Sequence, residues 1–320
     1  MSFLFDLQAH PAALAVWGLL SAFLTWAGTR RAFRDLDLPQ GKTAIWYGLL
    51  GGILSAAFLW VSLVWQWTDS PEVIPPEGWR QGRAFMHLSL IILLLIITAT
   101  DFKSYLILDW CCWLGTIIAV LGAVISGHFQ IAHVWVDWNA EIPQLRGPEI
   151  PAWLQIHPHL HGLAWSLTGA ACGFTLTALL RWLSSVVLRM QALGFGDVLL
   201  MGMVGAYLGW QPTIVALLLA PLVAVGIGTL LKIIGNRPAL PYGPFLAAGT
   251  LITLFTWKWI WMAEFSLSAH GGLDRATTFA VRRFFGDPIA LLIVFGLSTG
   301  LLVLLLGLLQ LYRRIPGRTG

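Results

Sequence analysis

Apolar segments recur along this 320-residue chain at near-regular intervals, and several reach the roughly 20 residues that carry a helix across a bilayer. They fall near 11–28, 44–67, 84–101, 106–127, 163–187, 197–210, 212–234, 243–262 and 288–312. A chain in lipid must satisfy its backbone donors and acceptors internally, and long apolar runs do this as helices. Composition agrees, because 58% of the residues are hydrophobic and only 11% are charged, whereas a soluble domain carries about 25% charge. The expected fold is an all-α polytopic membrane protein of about nine transmembrane helices, within a range of 8–9. The segment at 197–210 is short for a span, so it is tilted, broken, or begins before the glycines that precede it.

Orientation follows from the basic residues. Alternating spans put 12 of the 19 Lys and Arg on one side and 7 on the other. The positive-inside rule then sets the N-terminus outside and the C-terminus in the cytoplasm for this multi-pass chain. The first segment has Asp6 and no basic residue before it and lacks a small-residue cleavage site, so it reads as a retained helix. The net charge of +4 is accounted for by short loops at the headgroups and calls for no nucleic-acid partner. Cys111, Cys112 and Cys172 lie inside apolar segments with no CxxC spacing, so no zinc ribbon and no disulfide framework is indicated.

Three of the fifteen acidic residues stand against hydrocarbon. Asp101 ends the run AFMHLSLIILLLIITAT, Asp109 opens the next segment, and Asp197 follows Gly194, Phe195 and Gly196 at the mouth of a third. Ionisable groups at membrane depth are expensive and usually functional. The topology gathers all three at the cytoplasmic face. Two carboxylates in a low-dielectric site cannot both ionise cheaply and share a proton. One can then take a proton from water as the other polarises a carbonyl, a scheme that calls on no metal and no cofactor. Eight residues of continuous helix would separate Asp101 from Asp109 by about 12 Å, too far for a shared proton. Either can still partner Asp197, and the other reading of Asp109 is a helix cap. The glycines beside Asp197 permit unusual backbone angles and close approach, or plain helix packing.

The stretch from Thr100 to Asp109, the GFGD at Gly194 to Asp197 with AYLGWQP behind it, and Leu240-Pro241-Tyr242-Gly243-Pro244-Phe245 occur in this order. Together they resemble the prepilin peptidases, the membrane aspartic proteases of type IV pilin and type II secretion systems, also called the type IV leader peptidase family. The resemblance covers about 84–260 and is most specific from Gly194 to Trp210. It implies Asp101 and Asp197 as the catalytic pair. It also implies Gly194, Gly196, Asp109, Lys103, Pro241, Gly243 and Pro244 as substrate-binding or site-shaping residues, with no metal. The implied activity is cleavage of the leader from prepilin-like precursors embedded in the bilayer, at its cytoplasmic boundary.

The chain departs from the family pattern at several places. Leu108 stands where proline is usual, and Leu199 where a lysine commonly follows the aspartate. The first cytoplasmic loop, about Arg30 to Lys42, holds neither of the CxxC pairs that accompany N-methyltransferase activity in many members, which puts methylation in doubt. The expected organisation is 1–83 as N-terminal helices, 84–262 as the catalytic core with an outer-loop insertion at 128–162, and 263–320 as a loop and last helix. His128, His133, His157, His159 and His161 in that insertion read as interfacial rather than metal-binding, since no carboxylate or cysteine pattern completes a ligand set. The alternatives are a proton-coupled transporter relaying protons through the same aspartates, and an intramembrane GxGD protease acting on a substrate other than a pilin.

Overall fold

The computed structural model describes residues 12–70, 72–136, 152–188, 193–234, 240–267, 277–296 and 300. Among them the chain folds as α1 (Ala12–Asp35), α2 (Thr43–Leu59, running on as a π-helical turn over Trp60–Val64), α3 (Glu77–Ser104), α4 (Asp109–Ser126), α5 (Ala152–Ile156), α6 (Pro158–Leu188), α7 (Phe195–Leu208), α8 (Trp210–Ile233) and α9 (Gly243–Trp261). A two-stranded antiparallel hairpin, β1 (Glu264–Leu267) and β2 (Thr277–Ala280), and a short α10 (Val281–Phe285) follow. That hairpin is an addition to the all-helical expectation.

Six helices are long and apolar enough to cross a membrane: α1, α2 with its π-helical turn, α3, α4, α6 and α8. The expected count of nine is not reached among the described residues. α7 has 14 residues and α9 has 19. The ninth segment is helical over 288–296, and most of its remainder lies outside the described residues, as does 137–151 of the outer-loop insertion. The shortness of α7 has a physical reason. From Asp197 to Leu208 only Leu199 is not buried, so the helix is enclosed by protein and the bilayer does not set its length.

α3 is the central helix, buried on most of its length from Arg83 to Asp101 and packed against α1, α2, α4 and α9. α6 and α7 form the closest pair. Their backbones touch, since a Cβ on Gly169 would stand 2.0 Å from the Gly205 carbonyl oxygen and one on Gly173 2.0 Å from that of Met201. Such close approach through glycine is how membrane helices gain packing where the hydrophobic effect offers none. α7 ends at Gly209, whose φ of +80° is open to glycine at little cost, and the chain reverses there against the Trp165 indole. Pro221 lies inside α8, and a Cβ added at Gly226 or Gly228 would meet no atom of the described residues within 4 Å.

At the end of the bundle away from Asp101, Arg83 is buried and paired with Asp69, which also lies 3.5 Å from Arg80. Three histidines of the insertion sit at this end on backbone partners. His133 Nε2 is 3.2 Å from the Glu72 carbonyl, His159 Nδ1 is 2.8 Å from that of Val124, and His161 Nε2 accepts from the Val134 N–H. Arg282, in α10, pairs with Glu264 at 2.6 Å.

Candidate active site

α3 carries Asp101 to its last turn and stops because Tyr105 turns left-handed, with φ +58° and its N–H on the Asp101 carbonyl. The link Tyr105 to Leu108 then leads into α4. A left-handed residue at a helix C-terminus is a common stop, although glycine is the usual occupant. The break disposes of the continuous-helix spacing between Asp101 and Asp109. Asp101 is 4% exposed, whereas Asp109 is exposed as the first residue of α4. The cap expected of Asp109 is not made: Leu108 holds the cap position and no side chain bonds there. A carboxylate in that first turn still favours the helix dipole.

Asp197 sits in the first turn of α7 and is 6% exposed. Its Oδ2 accepts from the Gly194 N–H at 2.9 Å, which satisfies a backbone donor at the helix start. Gly194 has φ −73° and ψ 163°, an extended conformation open to any residue. The unusual angles expected of the motif glycines are therefore not needed at Gly194.

Gly196 and Gly243 have a different use, and both involve Ile107. A Cβ on Gly196 would lie 2.7 Å from Ile107 Cβ, and one on Gly243 would lie 3.1 Å from Ile107 Cδ1 and 2.4 Å from Asp101 Oδ2. Ile107 thus fills the space between the start of α7 and the start of α9. The backbone at Gly243 lies against the Asp101 carboxylate, and the Asp197 carboxylate lies within electrostatic range of Asp101. Each of the two buried carboxylates thus lies against a glycine at or just before a helix start. Pro241 and Pro244 are buried on either side of Gly243, and Pro244 falls in the first turn of α9, where its missing N–H costs nothing.

The remaining surroundings are mixed. Tyr242 lies within range of Asp197, and burial pushes its hydroxyl up to about 12, so it stays protonated and able to donate. Arg181 of α6 also acts on Asp197 and stacks its guanidinium over the Phe195 ring at 5.6 Å. Lys103 is exposed beyond Asp101. The structure therefore brings together Asp101, Asp197, Gly194, Gly196, Pro241, Gly243 and Pro244, and leaves Lys103 and Asp109 at the solvent-facing edge. Sequence reasoning missed Ile107 and Arg181. Ile107 has no signal in an apolar chain, and Arg181 showed only as a charge near the end of an apolar segment.

Residues 150–229 match the type IV leader peptidase family. That span holds Gly194 to Asp197 and stops short of the 240–245 element, and Asp101 lies before it. The chain is 29% identical over 234 residues to the type 4 prepilin-like proteins leader peptide-processing enzyme of Escherichia coli O78:H11, covering 72% of this chain and 68% of that protein. It is 32% identical over 93 residues to the prepilin leader peptidase/N-methyltransferase of Burkholderia pseudomallei, 28% of this chain and 30% of that one. Against the Pseudomonas aeruginosa protein of the same name it is 32% identical over 109 residues, 32% and 38% of the two chains. No solved structure matches. Together these matches support a prepilin peptidase, and with it a protease.

Proposed function

We propose that this prepilin peptidase-like chain is a membrane aspartic endopeptidase that removes the leader from type IV prepilin-like precursors, with Asp101 and Asp197 as its catalytic pair. The observation that carries this reading is the meeting of two buried carboxylates, from helices far apart in sequence, at one end of the bundle. Carboxylates are costly to bury, and two of them buried near each other are poor packing but useful chemistry.

One carboxylate is ionised and the other holds the proton they share. The ionised one takes a proton from a water as its oxygen bonds to the scissile carbonyl carbon. The protonated one gives its proton to the carbonyl oxygen, so that a neutral gem-diol forms. Collapse then breaks the C–N bond. The first aspartate passes its proton to the leaving nitrogen, and the second regains one from the diol hydroxyl, which restores the starting state. The Gly194 N–H and the backbone at Gly243 hold the two carboxylates in place, and the protonated Tyr242 hydroxyl lies within electrostatic range of Asp197.

The site lies at the cytoplasmic boundary of the inner membrane, with the N-terminus outside. Support comes from the basic residues at the same end of the molecule: Arg31 stacks on Trp110 at 5.2 Å next to Asp109, and Lys103 and Arg181 flank the two aspartates. The core is 84–262, preceded by helices in 1–83 and followed by 263–320. No CxxC pair is present in the sequence, and we assign the peptidase activity alone. Asp101→Asn and Asp197→Asn, each assayed for cleavage of a prepilin-like precursor in membranes, should lose about 10²–10⁴ in rate. Full processing by either variant would falsify the pair.

A further inference from the structure

Gly169, Gly173, Thr177 and Arg181 follow one another at four-residue spacing along one face of α6, and both glycines and Arg181 meet α7. Gly169 meets Gly205 and Gly173 meets Met201, so each advance of four on α6 is matched by a retreat of four on α7. This antiparallel register sets the next turn, at the fully buried Thr177, level with Asp197. One turn further, the Arg181 guanidinium lies over the Phe195 ring at 5.6 Å, and Phe174 meets the same ring edge-on at 6.3 Å. A cation on an aromatic face is attracted to it and loses freedom. Arg181 is thus tied to a ring two residues from Asp197, in the same helical turn.

The charged and titratable groups acting on or near Asp197 among the described residues are Asp101 from α3, Cys112 from α4, Arg181 from α6 and Tyr242 before α9. Arg181 is the cation of this set. Among the described residues, Arg181 therefore bears on Asp197 through the ring two residues away, whereas the groups acting on Asp101 are Asp197 and Gly243.

We infer that Arg181 is a positioning residue. Clamped on the Phe195 ring by the close α6–α7 contact, it sets a fixed positive charge beside Asp197 and away from Asp101, making Asp197 the water-activating base and Asp101 the acid. This assignment rests on the paired-aspartate reading and divides the roles that reading leaves open. Like and opposite charges at short range in a low-dielectric site decide which of two carboxylates keeps the proton.

The test is steady-state cleavage of a synthetic prepilin-like precursor by the full-length protein in vesicles, with kcat and KM measured across pH for wild type, Arg181→Gln, Arg181→Lys, Phe195→Leu and Asp197→Asn. Arg181→Gln should lower kcat about tenfold near neutral pH with KM changed by less than about twofold. It should also move the acid limb of the kcat profile to higher pH, because an unpaired base ionises later. Arg181→Lys should restore most of both, and Phe195→Leu, which loosens the cation without removing it, should move the same limb less far. A wild-type profile in Arg181→Gln overturns the inference, and so does an equal loss at every pH without rescue by lysine. Should Arg181→Gln fail to fold, an unmoved limb in Phe195→Leu overturns it instead. Asp197→Asn separates the two levels: if it cleaves normally the pair itself falls, and if it is dead while the limb does not move only the role of Arg181 falls.

Discussion

At Gly243 there is no room for a methyl group, because it would stand 2.4 Å from Asp101 Oδ2. At Gly194 a methyl would meet Asp197 Oδ2 at 3.5 Å, an ordinary contact on an ordinary backbone. The two motif glycines are therefore unequal. Gly243→Ala should lower leader cleavage about 10- to 100-fold by displacing a carboxylate. Gly194→Ala should stay within about 0.5 kcal/mol of wild type in stability and keep most of the activity. Parallel cleavage assays and thermal melts of the two variants check this contrast. Asp109→Asn should cleave at a rate close to wild type, since that carboxylate is exposed and apart from Gly194 and Gly243. A loss as large as that of Asp197→Asn would instead make Asp109 the partner. The sequence already marked all three carboxylates by their apolar setting; it could not choose among them, because the choice depends on the left-handed turn at Tyr105 and on what lies across from it.

Among the elements, α3 connects the two ends of the bundle. Its Asp101 end reaches the candidate site, and its Arg83 end is tied to Asp69, with further bonds to Thr68 and the Gln130 carbonyl. Removing one partner of a buried pair leaves an uncompensated charge, so Asp69→Ala should destabilise the protein by about 3–5 kcal/mol, read from unfolding in detergent. The neighbouring His133 lies outside the spanning helices, and burial holds it below the ordinary imidazole value. A group depressed in the folded state contributes stability that is present above its ordinary value near 6.5 and lost as pH falls below it. The melting temperature should therefore fall between pH 7.5 and 5, and His133→Gln should flatten that fall. The extents of α1 to α4, α6, α8 and α9 were largely legible from apolar runs, because hydrophobic length is a local property. The hairpin β1–β2 was not, being short and set in a loop rich in neither signal.

For the molecule as a whole, three cations stand with the carboxylates. Arg31 on Trp110, Lys103 and Arg181 all stand at the end that holds Asp101 and Asp197, opposite the Asp69 and Arg83 pair. If that end faces the cytoplasm, Lys103→Cys should react with a membrane-impermeant maleimide in inside-out vesicles and not in intact spheroplasts. Cys111 and Cys112 are buried and add little background, and Cys172→Ser removes the third thiol. Labelling from the outside would reverse the proposed topology.

By itself, the sequence determined that the chain is a set of apolar helices and that GFGD places a carboxylate at the mouth of one of them. Both follow from short stretches, since hydropathy and motif spacing need no knowledge of neighbours. Only the tertiary structure decided that Asp101 rather than Asp109 is buried near Asp197, that Ile107 wedges between Gly196 and Gly243, and that Arg181 lies over the ring two residues from Asp197. Those relations depend on the register of helices distant in sequence. In an almost uniformly apolar chain, hydrophobicity cannot encode that register; it is set by where glycines let backbones touch.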